Sequence, residues 1–169
     1  MRVRIVSALV ALLVLVSVGS LQALAGGGRK SSATLTGYEE TPTVSVAGVG
    51  SLSAELSKDG TSISYTLAYS GLTGPALFAH IHLGMPAIAG GVIAFLCDTD
   101  SGTAQIPDCP GAGGTVSGSV EAADVIGPAG QGITAGEFEE LVAAMRFGAT
   151  YANVHTTAFP SGEIRGQIG

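Results

Sequence analysis

The sequence predicts a mostly β fold, an antiparallel β-sandwich or barrel-like arrangement of seven or more short strands with one short helix at about 135–147. Three observations carry this. Apolar and polar residues alternate with a period of two over much of the chain. The strand-like runs are short and are bounded by glycine or proline, of which there are 26 and 7. A single stretch departs from this, with apolar residues at helical spacing.

The chain begins with a segment of different character. Arg2 and Arg4 form a short positive region, Ile5 to Val18 is apolar apart from two serines, and Ala23-Leu24-Ala25 has the small-x-small form of a signal-peptidase site. We read residues 1–25 as a secretory signal peptide cut after Ala25. The apolar run is shorter than the ~20 residues a membrane-spanning helix needs. Loss of Arg2 and Arg4 takes the formal charge from -6 to -8, so the expected exported protein, secreted or periplasmic, is acidic and carries no stable membrane span. No Lys/Arg cluster offers neutralisation to phosphates, which excludes nucleic acid as a partner.

Residues 26–32 read as a flexible Gly-rich leader and 33–169 as one domain. From Ala33 the period of two sets in. Leu52, Ala54 and Leu56 alternate with polar residues, Lys58-Asp59-Gly60 supplies a turn, and Ile63, Tyr65, Leu67 and Tyr69 alternate in turn, which predicts a hairpin. Further strands are expected at 78–83, 91–96, 115–120, 151–156 and 163–168. Thr134 with Glu137 forms a capping-box pattern, followed by Phe138, Leu141, Val142 and Met145 on one helical face and by Gly148 as a stop. Cys97 and Cys109 bracket a polar stretch containing Gly102 and Pro107. In an oxidising compartment they are expected to form a disulfide.

The three histidines lie in strand-like segments, and their parity is informative. Residues two apart in a strand share a face, so His80 and His82 point one way and Ala79, Ile81 and Leu83 the other. By the same rule His155 shares a face with Tyr151 and Asn153. In the last strand Glu163, Arg165 and Gln167 fall together. Two readings stand side by side. In one, His80, His82 and His155 converge as nitrogen ligands for copper or zinc, with Asn153 or Glu163 orienting a ring from behind. In the other, these residues form a solvated, hydrogen-bonded polar face, with Glu163 and Arg165 as an ion pair within the sheet. There is no phosphate-binding loop, no nucleophile elbow and no recognisable Ser or Cys triad motif, so no catalytic residue is assigned and the protein is read as a binding protein rather than an enzyme.

Three blocks also carry a family resemblance: Leu35-Thr36-Gly37-Tyr38-Glu39-Glu40-Thr41-Pro42, then Ala79-His80-Ile81-His82-Leu83-Gly84, then Tyr151-Ala152-Asn153-Val154-His155-Thr156 running into Gly162-Glu163-Ile164-Arg165-Gly166-Gln167. Together they resemble the CHRD (chordin) domain. Thr43 stands where that pattern usually has a second proline, and the Cys97 to Cys109 insertion lies outside it. The resemblance implies an extracellular β-sandwich-like module without a defined biochemical activity; we expect the chain to bind a protein, glycan or small ligand. A weaker likeness is to copper–zinc superoxide dismutase, but three histidines cannot supply the full ligand set of that two-metal site.

Overall fold

The computed structural model describes residues 29–103 and 105–169. The expected signal peptide and the first residues of the expected leader lie outside the described residues. Eight strands form one antiparallel sheet: β1 (Lys30–Thr36), β2 (Val49–Leu56), β3 (Ser62–Ser70), β4 (Ala76–Leu83), β5 (Val92–Asp98), β6 (Gly114–Glu121), β7 (Thr150–Thr156) and β8 (Ile164–Gln167). Their order is β5-β4-β7-β8-β1-β2-β3-β6. The two edge strands, β5 and β6, approach each other, so the sheet rolls into a nearly closed barrel rather than splitting into the two layers of a sandwich. The Tyr65 hydroxyl of β3 spans to the Leu96 carbonyl of β5 at 2.6 Å, helping to fasten the seam.

Alternation produces this shape. Leu52 and Ala54 of β2, and Ile63, Tyr65 and Leu67 of β3, are buried while Ser51, Ser53, Ser64 and Thr66 between them are exposed. Leu35, Ile81, Ile93, Leu96, Val120, Ala152, Val154, Ile164 and Ile168 complete the same interior. The β2–β3 hairpin turns where expected, in the register Leu56↔Ile63, and Gly60 takes a left-handed φ of 77° in the turn.

β1 is not among the strands expected from the sequence: it opens at Lys30, inside the stretch read as leader, and pairs with β2, Lys30 opposite Glu55, Ser31 opposite Ala54 and Ser32 opposite Ser53. The helix, α1 (Phe138–Phe147), starts three residues after the expected 135. Gly136 has a φ of 88°, which is incompatible with a helix. Half of the capping box is present: the Glu137 carboxylate accepts the Thr134 N–H at 2.6 Å, while the Glu137 N–H goes to the Thr134 backbone carbonyl at 3.2 Å. Gly148 closes the helix in the left-handed conformation. Phe138, Leu141 and Met145 are buried with the barrel core, as the stripe predicted. Cys97 and Cys109 form the expected disulfide. No helix among the described residues is long and apolar enough to cross a membrane.

Candidate metal centre

The register of β4 and β7 pairs Phe78 with His155, His80 with Asn153 and His82 with Tyr151. Residues opposite one another in adjacent strands project to the same side, so the three histidines share one face, as parity predicts. β8 continues the row, with Arg165 opposite Asn153 and Gln167 opposite Tyr151. Ala79, Ile81, Ala152 and Val154 fill the barrel, so the histidine face is its outer surface. That surface is covered. Chain from the β1–β2, β4–β5 and β7–β8 connections bonds back onto it through Glu40, Gly90 and Pro160. His80, His82 and His155 consequently retain only 5%, 7% and 8% of their exposure.

The rings pack closely. His80 lies 5.3 Å from His82 and 5.1 Å from His155 between centroids, and His82 lies 6.0 Å from His155. Phe78 touches His80 and His155, Phe95 meets the His80 ring edge-on at 4.4 Å, and Tyr151 stacks on His82 at 4.7 Å. Burial among aromatic rings disfavours the imidazolium. It holds His80 down to about 3, with the neighbouring His155 and His82 adding to the effect, and His82 down to about 4. Burial lowers His155 as well. All three rings are therefore neutral at ordinary pH.

Backbone carbonyls set the tautomers. Nδ1 of His82 lies 3.0 Å from the Gly90 carbonyl, and Nδ1 of His155 lies 3.0 Å from the Pro160 carbonyl. A carbonyl oxygen only accepts, so each Nδ1 carries the proton and each Nε2 presents a lone pair. Those two Nε2 atoms, with Nδ1 of His80, are buried and have no hydrogen-bond partner. An orphaned buried polar atom is costly, and three in one cluster call for a common partner. One ring nitrogen from each histidine can be chosen so that all three lie within 4.8 Å of one another. Even at that limit on every side, the central point is about 2.8 Å from each nitrogen, so swings of under an ångström reach the ~2.0–2.1 Å of a metal–imidazole bond. The residues fit a metal ion, with the two carbonyls in the role of ring-orienting partners.

Asn153 and Arg165 join this face, and Glu163 does not. Gly162, with a φ of 127°, turns the chain just before β8, so the alternation of that strand cannot be extended back to Glu163. Its carboxylate instead accepts the Thr156 hydroxyl and the Thr73 N–H, both at 2.6 Å, and it forms no ion pair with Arg165. The carboxyl that meets Asn153 is Glu40, whose Oε1 accepts from the Asn153 amide while the same nitrogen also donates to the Ile164 carbonyl. Burial pushes Glu40 up to about 7, against the lowering pull of Asn153 and Arg165. The Arg165 guanidinium lies 3.5 Å over the Tyr151 ring and donates to the Met85 carbonyl and the Thr41 hydroxyl. Glu40 escapes sequence reasoning because nothing local distinguishes it from its exposed neighbour Glu39.

The family model of the CHRD domain matches residues 31–168. Neither a curated protein nor a solved structure matches the chain.

Proposed function

This chain belongs to the CHRD-domain family, and from that premise we propose that it is an exported binding module, acting on an extracellular protein, glycan or small ligand rather than by catalysis. The observation that carries the reading is the family match over nearly the whole described chain. The Cys97–Cys109 disulfide is consistent with export, since such bonds persist in oxidising compartments. The test is surface-immobilised, tag-free protein spanning residues 26–169, presented with its native extracellular fraction and with a glycan panel. Saturable binding to one component is expected; its absence from both sources sinks the reading.

A second reading is favoured by one specific observation, the three unpartnered ring nitrogens of His80, His82 and His155. In this reading the ligand, or part of it, is a copper or zinc ion held by the three imidazoles. Metal analysis of tag-free protein after exposure to each ion, followed by desalting, is the check. One equivalent per chain is expected, and a residue of less than about a tenth of an equivalent refutes it, because a buried site fixed by oriented ligands does not release its ion on desalting.

A further inference from the structure

We infer that the three-histidine face selects monovalent copper over divalent zinc, an inference that rests on the metal reading above. The donor set is three neutral imidazoles, and among the described residues no carboxylate or thiolate completes the cluster. The two buried carboxyls of this region are committed elsewhere. Glu163 is held by Thr156 and Thr73, and Glu40 by Asn153. An ion bound here thus keeps its full charge in a site made dry by Phe78, Phe95 and Tyr151.

The cost of taking an ion out of water grows as the square of its charge, so a divalent ion is penalised about four times as heavily as a monovalent one. The Arg165 guanidinium adds to the difference. It sits on Tyr151, the ring that stacks on His82, and brings a fixed positive charge to the same stack. Coordination number points the same way. Zinc requires a fourth ligand, commonly a water, for its tetrahedral shell. The rings packed round His80 and His82 leave the protein offering three nitrogens, a number that satisfies a closed-shell monovalent copper ion.

The experiment uses tag-free protein of residues 26–169, titrated anaerobically with copper(I) held by a chromophoric copper(I) chelator, and separately with zinc(II) in a chromophoric zinc buffer. The expected result is one equivalent of copper(I), bound at least about a hundredfold more tightly than zinc. His155→Gln keeps an N–H donor for the Pro160 carbonyl while removing the free Nε2, and is expected to weaken copper(I) binding by about a hundredfold or more. A thermal melt of the metal-free variant verifies that it folds, and His82→Gln provides the same test at the Gly90 carbonyl should it not. Zinc bound as tightly as copper(I), and lost in these variants, overturns the selectivity and leaves the metal reading standing. Binding of neither ion by the wild-type protein overturns both.

Discussion

Asn153 donates from its side-chain amide to the carboxylate of Glu40, a residue 113 positions earlier in the chain. The contact ties the β1–β2 connection to the outer face of β7, and it does so through a carboxyl that burial pushes up to about 7. A carboxyl whose pKa is raised in the folded protein binds its proton more tightly there than when unfolded. Its contribution is therefore present below pH 4.5 and is lost as pH rises towards 7. Glu40→Gln keeps an acceptor for Asn153 and cannot ionise. The variant is expected to gain on the wild type by about 1–3 kcal/mol between pH 5 and pH 8 in urea unfolding. An equal difference at the two pH values would contradict the buried-carboxyl account.

The histidines titrate with the opposite sign. His80 and His82 are held at about 3 and 4, below the ordinary 6.5, so the unfolded chain binds more protons than the folded one in this window. Metal-free protein is fully stable with respect to these rings above pH 6.5 and loses stability as pH falls towards 4, by about 1–2 kcal/mol per ring at pH 5. Glu40 offsets part of this slope, so the acid loss should be steeper in Glu40→Gln. Denaturant midpoints from pH 7.5 to 4.5 check both expectations, and a flat wild-type profile would refute the first.

Coupling between His82 and His155 separates a metal centre from a merely polar surface. With metal present, either His82→Ala or His155→Ala alone should remove most of the metal-dependent stabilisation, and the second substitution should add little. Neighbours that share a partner show interaction energies of about 0.5–3 kcal/mol. Losses that add within about 0.3–0.5 kcal/mol, with and without metal, would show that the rings do not act together.

Cys97 and Cys109 close a loop with a sequence separation of 12. Restricting so short a loop in the unfolded chain is worth about 2–3 kcal/mol. Reduction, or the paired change Cys97→Ala with Cys109→Ala, should lower stability by that amount while leaving the β2–β3 hairpin protected in amide exchange. Loss of protection throughout the barrel would mean that the disulfide is required for folding rather than a local brace.

Gly162 is the narrow point behind the cluster. A Cβ there would come within 2.7 Å of Glu40 Oε1 and 2.9 Å of Asn153 Nδ2, at a φ of 127° that side chains rarely adopt. Gly162→Ala should cost about 1–3 kcal/mol and loosen the Glu40–Asn153 bond. Gly130→Ala, where a Cβ meets nothing within 4 Å, serves as the control and should be close to neutral. Equal effects of the two changes would show that Gly162 is not constrained as described.

Much of the architecture was legible in the chain because it depends on short-range periodicity. The pleat alone places His80 with His82, and Asn153 with His155, on common faces. The buried stripe Phe138, Leu141, Met145 follows from helical spacing, and the Cys97–Cys109 pairing from loop length and compartment. The same reasoning misplaced Glu163, since parity holds only along continuous strand and Gly162 interrupts it.

By itself, then, the sequence determined seven of the eight strands, the β2–β3 hairpin, the helix face and which histidines point together, since each is a matter of repeat and spacing within a few residues. The tertiary structure decided that the sheet closes as a barrel, and that the face expected to be wet is dry. Dryness depends on what distant chain folds over a surface, and here Glu40, Gly90 and Pro160 belong to three separate connections that no local pattern relates to β4 and β7. Covering that face removes water from the imidazoles, lowers their proton affinity and leaves three ring nitrogens without a partner, which is what turns a row of polar residues into a candidate metal centre.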